Sequence, residues 1–162
     1  MKLLSTDSLE FKIARKTKGL RAKPMVTLLV DRAVMAKFLV NTLEAREPVH
    51  PDAMFCIGES NDAWQQSAKT LLQKYTVDAI DADGWMVCNP KAENSVEFYQ
   101  IPASAESGYV QCLWGEAVYG IGSMLQRYEP GDYILRDRGN SHDVWVVNGK
   151  IFMNSYTEIS SN

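Results

Sequence analysis

The sequence predicts one α+β domain over residues 1–162, with two helices packed on a mainly antiparallel sheet that is curled or barrel-like towards its C-terminal end. Three observations carry this. Two stretches of the first half, 32–46 and 62–75, repeat apolar residues at three- and four-residue intervals, the period of an amphipathic helix. The second half breaks into short aromatic and β-branched runs separated by Asn89-Pro90, Pro102 and Gly108, as in an antiparallel meander. Finally, 162 residues that are 46% hydrophobic and 23% charged are ordinary for a globular domain. A chain of this size buries about 70% of the surface that its unfolded form exposes, enough to dispense with disulfides or a structural metal.

The first strand is expected at Leu9–Ala14, where Leu9, Phe11 and Ile13 alternate with polar neighbours. A basic loop or turn, Lys16–Lys23, then leads through Pro24 into a second strand, Met25–Val30. From Arg32 the residues Val34, Met35, Phe38, Leu39 and Leu43 form a helical stripe with Asp31 as N-cap. It should end near Arg46, because Pro48 disfavours helical backbone at Glu47. Residues 47–58, with Pro48 and Pro51, read as an irregular connection. In the second helix, Asp62–Tyr75, the residues Trp64, Ala68, Leu71, Leu72 and Tyr75 share a face, and Ser60 or Asn61 caps the start.

A polar turn at Asp78–Gly84 precedes strands at Trp85–Cys88, Val96–Ile101, Tyr109–Leu113 and Ala117–Ile121. Pro130-Gly131 opens a final β unit, 130–159, in which Tyr133–Arg136 and Val144–Val147 flank the polar turn Asp137–Asp143. Asn148-Gly149 is the strongest short hairpin signal in the chain, and pattern alone makes Lys150–Met153 another strand.

The formal net charge of -3, from 17 basic and 20 acidic residues, gives no overall pull towards nucleic acid or membrane. The charge is unevenly spread, however. Residues 1–30 hold Lys2, Lys12, Arg15, Lys16, Lys18, Arg21 and Lys23 against Asp7 and Glu10. No apolar run approaches the 18 or so residues of a membrane helix, and the N-terminus lacks the long apolar core of a signal peptide. The three cysteines are odd in number and far apart, which fits reduced thiols and a cytoplasmic location.

Candidates for chemistry are few. His50 and His142 each neighbour an acid, as a general base would, and Cys56 follows His50 by six residues ahead of the second helix. A solvated loop is the plainer reading of both histidines, and Cys88 and Cys112 read as core residues. With no CxxC, HxxxH or HExxH spacing, no Walker A loop and no GxSxG elbow, no catalytic residue, metal or cofactor is assigned. An EF-hand register through Gly84 places Ala79 and Pro90 where Asp and Glu are required. The basic segment Lys12, Arg15, Lys16, Lys18, Arg21 and Lys23 can track a phosphate backbone, although only Phe11 adjoins it as an aromatic. A charged edge strand that discourages edge-to-edge pairing is the competing explanation.

Two patches together resemble a group of small proteins of tailed phages and prophages. Such proteins have a basic, KKP-containing strand near the N-terminus, and a PGDW or PGDY element with an IFxxxY-like ending near the C-terminus. The matching stretches are Arg21-Ala22-Lys23-Pro24-Met25-Val26, Pro130-Gly131-Asp132-Tyr133-Ile134-Leu135 and Ile151-Phe152-Met153-Asn154-Ser155-Tyr156. The resemblance implies that Lys150–Tyr156 is helical and packs Phe152 and Tyr156 onto the β unit. It also implies a non-enzymatic accessory protein of the host cytoplasm that binds a host protein or small ligand and antagonises a host system. Asp137, Arg138, Asn140, His142 and Asp143 are then the expected contact surface, because turns on rigid strands often carry function. A nucleic-acid-binding module using residues 12–23 is the alternative, and a small enzyme using His50, Cys56 or His142 is the third reading.

Overall fold

The computed structural model describes residues 2–29, 31–35, 37–42, 46–113 and 124–159. Its structure is mixed α+β with mostly antiparallel sheets, and an isolated parallel bridge joins Leu3 to Tyr109. The chain expected as one domain divides into two compact units, Met1–Lys16 with Ser95–Asn162, and Thr17–Asn94.

Strand β1 (Lys12–Lys16) belongs to the first unit and β2 (Leu20–Pro24) opens the second. A 3-10 turn over Met25–Thr27 follows, where a strand was expected to run to Val30. Thr27 Oγ1 donates to the Pro24 carbonyl, and the Leu28 N–H donates to the Met25 carbonyl. These local bonds turn the chain as soon as Pro24 leaves the sheet.

The expected helix over 32–46 is one turn, α1 (Arg32–Met35), capped by Asp31 Oδ1 at the N–H groups of Ala33 and Val34. The cap is as expected but the continuation is not. Residues Leu39–Asn41 form β3, paired with β4 (Arg46–Pro48), and Leu43 lies outside the described residues. Extended pairing buries Val40 with Met25, Met35 and Val49 in a small core, and this tertiary gain outweighs the helical pattern.

The connection expected at 47–58 holds β4 and β5 (Ala53–Gly58). The helix expected from Asp62 starts only at Ala68, because β6 (Ala63–Ser67) pairs with β5 and Ser67 caps α2 (Ala68–Lys74) at the Thr70 N–H. Asn61 at φ 59° serves the β5–β6 turn instead of a helix start. Strand β7 (Tyr75–Ile80) takes the first part of the expected polar turn, and β8 (Met86–Pro90) completes the sheet order β6-β5-β2-β8-β7. Under α2, one face of this sheet buries Leu20, Ala22, Met54, Cys56, Leu71, Tyr75 and Cys88.

The rest of the first unit comprises β9 (Ser95–Gln100), β10 (Gly108–Cys112), β11 (Met124–Tyr128), β12 (Tyr133–Arg136), β13 (Val144–Val147), α3 (Gly149–Ser155) and β14 (Tyr156–Ile159). The strand expected at 117–121 lies outside the described residues. Its sheet order, β13-β12-β9-β1-β14, is not that of a simple meander. Both five-stranded sheets have edge strands and are open, so the barrel-like closure expected from the sequence is absent among the described residues.

Alternation on β12 explains the layering here. Ile134 faces the core formed with Val110, Cys112, Tyr128, Val144 and Val146, while Tyr133 and Leu135 face α3. Asn148 accepts from the N–H groups of Lys150 and Ile151, so Asn148-Gly149 is a helix start and not a hairpin turn. The PGDY element fixes that start. Asp132 accepts from the Glu129 and Gly149 N–H groups, Gly131 has φ 90°, and a Cβ on Gly149 would lie 2.5 Å from the Gly131 carbonyl oxygen. Phe152 stacks on Tyr133 at 3.8 Å and on Tyr156 at 4.9 Å, with Trp145 half-buried against the same cluster.

Candidate nucleic-acid interface

In the second unit, the sheet face opposite α2 is built from the alternation of β2. Leu20 and Ala22 enter the core, so Arg21 and Lys23 must point the other way. Across the ladder Arg21 is opposite Ile57 and Val87, and Lys23 is opposite Phe55, which makes these residues neighbours on one face. Trp85, immediately before β8, completes the face. Its ring lies 5.6 Å from the Arg21 guanidinium carbon, 5.2 Å from Lys23 Nζ and 6.3 Å from the Phe55 ring.

A short turn sets the position of Trp85. Asp81 Oδ1 accepts from the N–H groups of Asp83 and Trp85 at 2.9 Å, and the Asp81 N–H donates to the Trp85 carbonyl at 2.8 Å. Gly84 takes φ 86°, which a side chain would strain. Lys23 Nζ donates to the Asp83 carbonyl at 2.7 Å, tying the strand to the turn. Among the described residues no carboxylate forms an ion pair with Arg21 or Lys23, and both cations stand over the half-buried indole beside the turn that carries Asp81 and Asp83.

The six basic residues expected to act together are divided between the units. Lys12 pairs with Glu158 at 3.9 Å, Lys16 sits 4.7 Å over the Tyr156 ring, and Arg15 is exposed on β1. Lys18 is exposed on the turn before β2.

The turn Asp137–Asp143 connects β12 to β13. Asp137 accepts from the Gly139 N–H, Asn140 accepts from the His142 N–H, Arg138 donates to Ser95 Oγ, and the backbones of Asp137 and Asp143 are bonded. These polar side chains therefore shape the turn itself. His142 is exposed. His50 is half-buried in the second unit, where burial lowers its pKa and its backbone N–H donates to Gln65 Oε1. Cys56 is wholly buried under α2 and bonded to Gln66, which removes it from the accessible surface that a nucleophile needs. Burial, aided by the Asp78 charge, pushes the Cys88 thiol up.

Trp85 is the residue that sequence reasoning missed. Its only signal was a position at the start of an expected strand, after Asp83-Gly84, since the β2–β8 pairing joins residues more than 60 apart. No family model, curated protein or solved structure matches the chain.

Proposed function

We propose that the protein binds nucleic acid through the outer sheet face of residues 17–94, with Arg21 and Lys23 meeting phosphates beside Trp85. The observation that carries this reading is the Arg21–Trp85–Lys23 arrangement, with both cations within 6 Å of one half-buried ring and neither ion-paired to a carboxylate among the described residues. Cations on a rigid strand neutralise phosphates without first having to leave an internal acid, and the aromatic supplies what the basic segment lacks in sequence.

The accessory role implied by the phage resemblance needs a contact surface at Asp137–Asp143. There the polar side chains already serve the turn, so the geometry favours the nucleic-acid reading.

Fluorescence anisotropy with a labelled oligonucleotide tests it. Affinity should fall steeply between about 50 and 200 mM salt, and each cation replaced by Ser should flatten the log-log slope by about 0.7 to 0.9. Absence of binding at low salt, or a slope unchanged in the Arg21→Ser/Lys23→Ser protein, rejects the reading.

A further inference from the structure

We infer that the nucleic acid taken by this face is single-stranded, with an unpaired base stacked against Trp85; this deepens the reading above and rests on it. The argument starts from the indole. Trp85 is the largest aromatic surface on the face, and it is held at both ends of its turn by Asp81, so presenting it costs no further ordering. Phe55 abuts it at 6.3 Å with a 55° tilt, an edge-on support that backs the ring without stacking flat on it.

A base within a duplex has both faces occupied by its neighbours, so an indole lying on a sheet cannot reach one. A base in a single strand has a face free. The two cations reinforce that choice. They stand on β2, two residues apart, and successive same-face residues of a strand are about 6.6 Å apart. That interval separates the two backbone positions; the charged groups themselves both lie over one ring, 5.6 and 5.2 Å from its centroid, where they can meet phosphates of a single strand whose base reaches the indole. Ile57 and Val87, half-buried opposite Arg21, give the sugar and base edges an apolar floor.

The experiment uses the unaltered full chain with four probes of about 12 nucleotides: oligothymidylate, oligouridylate, an abasic strand with the same phosphates, and a duplex. Oligothymidylate or oligouridylate should bind at least about 5- to 150-fold more tightly than the abasic strand, the range that one aromatic–base stack supplies, and more tightly than the duplex. The two homopolymers distinguish DNA from RNA as the source of the strand. Trp85→Phe should retain most of the preference, and Trp85→Leu, which keeps bulk without a π face, should abolish it. Equal affinity for the base-bearing and abasic strands overturns the stacking inference and leaves the nucleic-acid reading standing. No binding of any probe at about 50 mM salt overturns both.

Discussion

In the first unit both faces of the five-stranded sheet are covered, by α3 on one side and by β10 and β11 with their neighbours on the other. Three of its eight described cations are ion-paired, Lys12 to Glu158, Arg127 to Glu129 and Arg136 to Glu97, against Arg32 to Asp52 in the second unit. In the second unit α2 covers one face, while the small core around Met25, Met35, Val40 and Val49 and the β4 strand cover part of the other, at Phe55 and Gln65. Arg21, Lys23 and Trp85 stand on what is left. Of the twelve exposed large hydrophobic side chains among the described residues, eight belong to this unit, with Val26, Leu28, Val34, Phe38 and Leu39 close together in sequence. The difference teaches where to test for binding: the first unit covers its sheet on both faces, and the second leaves cations and an indole on a partly open one.

The largest effect that tests this contrast is on the scaffold side. Phe152→Ala should cost about 3 to 5 kcal/mol in urea unfolding, because it empties a stacked site between Tyr133 and Tyr156. A loss below about 1 kcal/mol would break the claim that the aromatic cluster holds the first unit together. Asn148→Ala should cost about 1 kcal/mol, since the α3 N-terminus loses the acceptor for two N–H groups. Measuring both variants separates the packing of α3 from its capping.

A pH series sharpens the other half of the comparison. Burial lowers the His50 pKa below its ordinary value of 6.5, so the unfolded chain takes up the proton more readily than the folded one. Its contribution to stability is therefore complete above about pH 6.5 and is lost as the pH falls towards the folded value. His50→Gln should flatten the decline of the unfolding midpoint across that window, read by thermal unfolding at successive pH values. A decline of unchanged steepness would remove His50 from the account. The smallest expected effect is on the binding face: Arg21→Ser/Lys23→Ser should change stability by no more than about 0.5 kcal/mol per site, because surface cations without ion partners contribute little.

Local chemistry was legible in the sequence where it was self-contained. Asp31 caps a helix, Pro130-Gly131 makes a turn, and Phe152 and Tyr156 meet through a helical turn, each fixed by residues within a few positions. It failed where a distant strand decided the outcome. Val34 to Leu43 carried a helical stripe, yet pairing of β3 with β4 ended the helix after one turn; Trp64 to Ser67 joined β5 instead of the second helix. The candidate site shows the same division. Arg21 and Lys23 were readable as a basic segment, and Phe11 was the only aromatic in sight, whereas Trp85 reaches them through the β2–β8 ladder. Cys56 could be read as a nucleophile only because the burial imposed by Leu71 and its neighbours is not written beside it.

The contrast between the units meets its most direct test in a matched pair of variants, Lys12→Ser/Arg15→Ser in the first unit and Arg21→Ser/Lys23→Ser in the second. Each pair removes the same formal charge from the same basic segment, so a merely global effect of charge is identical in both. Anisotropy titrations of one single-stranded oligonucleotide across about 50 to 200 mM salt should show a slope flattened by about 1.4 in the second pair and little altered in the first, at about 0.7 per lost phosphate contact. Equal flattening in both pairs, or flattening confined to Lys12 and Arg15, would contradict the assignment of binding to the Arg21, Lys23 and Trp85 face.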